Sequence, residues 1–95
     1  NNRSLGMVRQ WQELFFDERY SYVHLDEVET DYVKLAEGCG VKGYKVTEKN
    51  DLPKAIKQAM EIQAPAVIDV KIDPKENVMP MVPAGKAINE MLGIE

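Results

Sequence analysis

GYKVTEKNDLPKAIKQAMEIQAPAVIDVKI, Gly43 to Ile72, decides the architecture of this chain. Tyr44 and Val46 alternate with lysine over Gly43–Thr47, the period of a short strand. A helix is expected from Asn50 or Asp51, with Pro53 tolerated in its first turn. Its inward stripe is Leu52, Ala55, Ile56, Ala59 and Met60, spaced three and four apart. Ala64-Pro65 breaks it, and Ala66–Ile72 (AVIDVKI) is rich in β-branched residues that favour a second strand. Strand, helix, strand reads as one βαβ unit with parallel strands and a right-handed crossover. Two parallel strands alone are not stable, because both faces need helices and both edges need neighbours. The unit therefore expects more sheet, supplied by chain upstream of Asn1.

Working outward, Leu5–Phe16 reads as an amphipathic helix, with Leu5, Val8, Trp11 or Gln12, and Phe15 interleaved with Arg9, Gln10 and Glu13. Gly6 near its start leaves room for a close approach to the backbone. Asp17–Thr30 is charged and aromatic without a period, an irregular connection. A further helix starts at Thr30 or Asp31, both good N-caps, carries Tyr32, Val33, Leu35 and Ala36, and stops in Gly38-Cys39-Gly40. Beyond Asp73-Pro74, Glu76–Gly85 is a proline-punctuated arm that cannot be regular helix. Lys86–Leu92 is expected to form a short terminal helix.

The 95 residues are 44% apolar and 29% charged, which excludes a disordered tail. A net charge of −4 argues against general attraction to nucleic acid or anionic lipid. One cysteine cannot form an internal disulfide, and Cys39 with His24 falls short of a zinc ligand set. No apolar run approaches the roughly 20 residues of a membrane helix. The chain does not begin with Met, and is expected to be a fragment.

Three stretches bear on chemistry. Asn1-Asn2, with Ser4 two residues on, heads a helix: an amide oxygen and a main-chain carbonyl at that spacing suit a magnesium ion, and a helix start suits phosphate. The same residues also serve as ordinary N-caps. Gly6, Met7, Val8 and Trp11 suit the wall of a small-molecule site, or equally a plain core. Val78–Gly85 is either a lid over a cleft or a packed connector. His24 and Cys39 have no neighbours that would activate them, and Asp26, Glu27 and Glu29 read as a solvated acidic face.

NNRSLGMVRQWQELFF (Asn1–Phe16) followed by RYS (Arg19–Ser21), DYVKLAEGCGVKGYKV (Asp31–Val46) and APAVIDVKIDPKENVMPMVPAG (Ala64–Gly85) resembles the C-terminal part of the catalytic large subunits of acetolactate synthases, also called acetohydroxyacid synthases. The resemblance covers essentially the whole chain, and the NN-x-x-LG-M-V-x-QWQ and PMVPAG strings are specific to that enzyme within the thiamine-diphosphate superfamily. It implies part of a three-layer α/β/α thiamine-diphosphate-binding fold with parallel strands, incomplete in this chain. Residues 1–95 would be the C-terminal portion of that domain, with 74–95 an arm and short helix. Asn2 matches the position whose side-chain oxygen binds Mg2+, and Ser4 the one offering its main-chain carbonyl. Gly6 and Met7 fall beside the cofactor; Val8, Trp11 and Ala84 match positions in the substrate channel where inhibitory herbicides also bind.

The family condenses two pyruvates with loss of carbon dioxide to 2-acetolactate, or pyruvate and 2-oxobutanoate to 2-aceto-2-hydroxybutanoate, in branched-chain amino-acid biosynthesis. Implied cofactors are thiamine diphosphate, Mg2+ and FAD, the last through a middle domain. Implied partners are the rest of the large subunit, a second copy or a homotetramer, a regulatory small subunit and small 2-keto acids, with no nucleic acid and no membrane. The implied location is the prokaryotic cytoplasm, or a plastid or mitochondrion in a eukaryote. The superfamily holds the magnesium-diphosphate end of the cofactor with a GDG…NN motif. Its GDG aspartate and the cofactor-activating glutamate of the N-terminal domain lie outside these residues, so the isolated chain is expected to be inactive, with no catalytic residue of its own. A non-catalytic interaction module, or another carboligase or oxidase of the superfamily, are the competing readings.

Overall fold

A computed structural model describes residues 1–94. Five principal elements follow in chain order: α1 (Gly6–Phe15), α2 (Tyr32–Gly38), β1 (Lys42–Val46), α3 (Leu52–Glu61) and β2 (Ala66–Val70). The two strands pair in parallel, in register from Lys42 opposite Ala66 to Val46 opposite Val70. This is the expected βαβ unit, with α3 as the crossover. Asp31 caps α2, its Oδ1 accepting from the Lys34 amide at 3.0 Å, and that bond holds the carboxyl below the ordinary aspartate range. Gly40, at φ +74°, turns the chain out of α2 in a conformation that glycine adopts without strain.

α2 lies close against β1 because Gly43 has no side chain. A Cβ there would stand 2.9 Å from the Val33 Cα. The buried apolar residues are Val23, Ala36, Val46, Ala55 and Met81, drawn from loop, helix, strand and arm alike. α3 turns Ala55 inward, flanked by half-buried Leu52 and Ala59, while Ile56 and Met60 stay exposed. The expected stripe is wider than the surface available, since a sheet of two five-residue strands covers only a narrow band of a helix.

β2 is paired on both sides at its end. Lys71 N donates to Val46 O on β1 at 2.8 Å, whereas Val70 O and Ile72 N face the other way. Val70 O accepts from Asn1 N at 2.7 Å, and Ile72 N donates to Asn1 O at 3.1 Å. Alternation of this kind is the signature of a parallel ladder, so Asn1 continues the sheet beyond β2.

The C-terminal segment departs from expectation. Lys86–Leu92 is not a helix: only Ile88–Glu90 makes a 3-10 turn, closed by Glu90 accepting from Ala87 N at 2.9 Å. Leu92 instead exchanges both main-chain bonds with Met81, at 2.8 and 3.1 Å. Pairing across the arm commits the main-chain groups of Leu92 to Met81, which a helix through Leu92 would need for itself, so tertiary contact overrides local propensity. Among the described residues no helix is long and apolar enough to cross a membrane.

Candidate functional site

The loop Asn1–Ser4 leaves the carboxyl end of the parallel sheet, where open α/β sheets place their ligands. Each of its asparagines folds onto the main chain two residues ahead. Asn1 Oδ1 accepts from Arg3 N, and Asn2 Oδ1 from Ser4 N, both at 3.1 Å. Arg3 takes φ +53° between them, a left-handed conformation that costs a non-glycine residue roughly 1 kcal/mol and must be held by its surroundings. The surroundings include His24, since Leu5 N donates to Val23 O and Leu25 N to Arg3 O, each at 2.8 Å. The apparently unstructured Asp17–Thr30 connection thus straps the loop. His24 itself sits edge-on to Tyr20, 5.4 Å between ring centroids.

α1 begins directly after this loop, and no side chain caps it. Its first N–H groups and the positive end of its dipole are therefore left for an anion. Two details fit a cation-and-phosphate group here. Ser4 Oγ is buried without a hydrogen-bond partner. A Cβ on Gly6 would stand 2.7 Å from Asn2 Nδ2, so the Asn2 amide occupies the space that glycine leaves open. Asn1, Asn2, Ser4, His24 and Lys71 line a cleft of about 510 Å³. A cation in it would take amide and carbonyl oxygens, hard ligands that suit Mg2+. In the full-length protein, Gly6→Ala should cost the helix nothing at its first position, where the interior penalty on glycine is not felt in full, yet displace Asn2. We expect weaker Mg2+-dependent thiamine diphosphate binding with an undiminished melting temperature; calorimetric titration beside a thermal melt checks it, and an unchanged Kd would refute the role given to Gly6.

Within this chain α1 packs through its polar side. Its buried residues are Arg9 and Gln10, 2% and 1% exposed, while Met7, Val8, Trp11, Leu14 and Phe15 face outward. Gln10 clasps one residue of the arm: Oε1 accepts from Val78 N at 2.7 Å and Nε2 donates to Val78 O at 2.9 Å. Arg9 donates to Asn77 Oδ1 and to the Lys75 carbonyl and pairs with Glu13, and Asn77 Nδ2 donates to Glu13 Oε1 at 2.9 Å. The Asn77 amide and then the Arg9 guanidinium hold the Glu13 carboxyl below the ordinary glutamate range. Gln12 makes the equivalent clasp on Ser21, accepting from its N at 3.0 Å and donating to its O at 3.3 Å.

The QWQ string is thus two amide clasps on opposite segments with a tryptophan between them. Trp11 is 45% exposed and shares a groove of about 440 Å³ with Val8, Gln12, Phe16 and Arg19. Within this chain it lines that groove and is not part of the packed interior. Ala84 is exposed in the turn that Lys86 N closes on Pro83 O at 3.1 Å, and does not line that groove. Asn2, Ser4 and Gly6 are brought together at one site; Val8 and Trp11 lie further along α1, with Met7 exposed between. Residue spacing did not single out Arg9 or Gln10 because their partners lie 66 to 71 residues away.

Comparison with known proteins gives the chain its relatives. The chain is 40% identical over 94 residues to the acetolactate synthase large subunit of Porphyra purpurea, covering 99% of this chain and 16% of that protein. It is 37% identical over 95 residues to the mitochondrial acetolactate synthase catalytic subunit of Saccharomyces cerevisiae, covering 100% of this chain and 14% of that protein. With the isozyme 2 large subunit of Escherichia coli the identity is 42% over 92 residues, 97% of this chain and 17% of that one. The chain spans about a sixth of the length of these relatives. Residues 1–70, from the asparagine loop to the end of β2, match the family described as thiamine pyrophosphate enzyme, C-terminal TPP binding domain, and the chain belongs to that family.

Proposed function

We propose that this chain is the C-terminal part of the cofactor-binding domain of an acetolactate synthase large subunit. That enzyme condenses two pyruvates, or pyruvate and 2-oxobutanoate, with decarboxylation, in branched-chain amino-acid biosynthesis. The observation that carries the reading is the match to such subunits beyond residue 70, through the arm and its PMVPAG end, where the broader family match stops.

In this reading Asn2 Oδ1 and the Ser4 carbonyl would hold Mg2+, and the uncapped start of α1 would receive the diphosphate. Thiamine diphosphate, when bound, supplies a carbanion that adds to a keto carbon and then an electron sink for decarboxylation. The protein's share here is positional. Gly6 lets the Asn2 amide approach the helix start. Met7, Val8 and Trp11 present an apolar wall to the keto acids, with Ala84 on the arm as a further contact. FAD belongs to a part of the subunit outside this chain. The far end of α1, with Leu14 and Phe15 exposed, and the free edges of the two-stranded sheet are where the rest of the subunit, or a second copy, would pack. A regulatory small subunit belongs to the same proposal.

The test is acetolactate formation from pyruvate by the full-length protein with Mg2+ and thiamine diphosphate, read as acetoin after acidification. Turnover above a protein-free blank is expected, and its absence would overturn the assignment.

Trp11→Leu separates wall from core in the same protein. A core tryptophan costs ~3–5 kcal/mol when truncated severely. With nearly half its surface already open, Trp11 should cost far less, and leucine keeps the helix. We expect a melting temperature within a few degrees of wild type, retained turnover, weaker inhibition by planar herbicides and a shifted preference between pyruvate and 2-oxobutanoate as acceptor. A melt lowered by many degrees with the product ratio untouched would make Trp11 structural.

A further inference from the structure

β2 reads Ala-Val-Ile-Asp-Val, and its one buried residue is the acid. The Asp69 side chain is 4% exposed. Burying a carboxylate against a single ammonium group is costly, and a valine would pack a strand better, so stability alone does not account for an acid here. Its contacts do. Asp69 Oδ1 accepts from Asn1 Nδ2 at 2.8 Å, and Oδ2 stands 3.3 Å from Lys71 Nζ, which also faces Glu29 at 3.5 Å.

We propose that Asp69 is a positioning residue for the Asn1–Ser4 loop, orienting the amide of Asn1 so that the loop presents Asn2 and Ser4 to the cation and diphosphate. The inference rests on the cofactor reading above. An asparagine amide has two faces, and a carboxylate can only accept; the Asp69 bond therefore commits Nδ2 to the strand and aims Oδ1 at Arg3 N. That second bond braces Arg3 in its left-handed conformation, which turns the chain toward Ser4. Main-chain pairing of Asn1 to Val70 and Ile72 fixes where the loop starts. Asp69 fixes which way it turns.

The experiment uses the full-length apoprotein and measures binding of thiamine diphosphate with Mg2+ by titration calorimetry, beside a thermal melt. Asp69→Leu removes the acceptor; Asp69→Asn keeps an oxygen for Asn1 and drops the charge; Asn1→Ala removes the recipient. Removing an outer hydrogen-bond partner of a metal site typically costs about 10–100-fold in affinity. We expect that loss for Asp69→Leu and for Asn1→Ala, no further loss in the double variant, and a Kd within about threefold of wild type for Asp69→Asn. A wild-type Kd in Asp69→Leu, or losses that simply multiply in the double variant, would overturn the role of Asp69. If Asp69→Leu does not fold, Asn1→Ala and Asp69→Asn decide: a wild-type Kd in the first, or a Kd in the second as weak as in the first, overturns the proposal. Wild-type protein that binds no Mg2+–thiamine diphosphate would instead overturn the cofactor reading itself.

Discussion

Gln10→Leu should detach the C-terminal arm from α1 while leaving the βαβ unit folded. The Gln10 amide satisfies both main-chain groups of Val78 from a position only 1% exposed. Leucine fills similar volume but offers neither a donor nor an acceptor. Val78 is itself 63% exposed, so its N and O can turn to water once the clasp is gone, at the cost of the net worth of the two bonds, about 0.5–1.5 kcal/mol each. A segment whose docking depends on few bonds is then free to move into water, so release is the expected outcome. Hydrogen exchange reads it directly: in the full-length protein the Val78 and Met81 amides should lose about ten- to a hundredfold protection, and the β1 and β2 amides should keep theirs. Equal protection throughout would show that the arm is held by apolar packing instead.

Acid should loosen the same attachment. Asn77 and Arg9 hold the Glu13 carboxyl below its ordinary range, so the folded state binds the Glu13 proton less readily than the unfolded one. Its stabilising contribution is present above the unfolded carboxyl pKa and fades as pH falls through the lower folded value. The protection factor at Val78, the exchange rate corrected for the intrinsic pH dependence of amide exchange, should therefore fall on acidification, before the strands open.

Asn2→Ala should impair cofactor binding far more than folding. Its Oδ1 accepts a single half-exposed bond from Ser4 N and does not cap α1, so the folded state loses at most ~1 kcal/mol, the cost of a lost cap. A cation in the cleft would lose an inner oxygen ligand. Even outer partners of metal ligands are worth about 10–100-fold, so the half-saturating concentration of thiamine diphosphate at fixed Mg2+ should rise by at least that much. An unchanged half-saturation point, with normal melting, would leave Asn2 as a turn-former only. A melt lowered by many degrees would show that the loop is needed for folding.

Local chemistry determined much of this protein from sequence alone. Alternation and helical spacing in Gly43–Ile72 dictate the βαβ unit, because side-chain period is a property of neighbouring residues. The Asp31 cap and the Gly40 stop are equally local. So is the pairing of two asparagines with a helix start, which marks Asn2, Ser4 and Gly6 as neighbours; the structure sets Asn2 and Ser4 in one cleft and the Asn2 amide against Gly6. Only the tertiary structure decided which side of α1 is inside. Hydrophobic spacing favours burying Val8 and Trp11, but the main-chain groups of Lys75–Val78 must be satisfied, and Arg9 and Gln10 satisfy them from 66 to 68 residues away. Asp69 acquires its role the same way, through an amide 68 residues distant. The helical bias of Lys86–Leu92 yields to Met81 for the same reason. A buried polar group takes its partner from wherever the fold delivers one, and no local period records that choice.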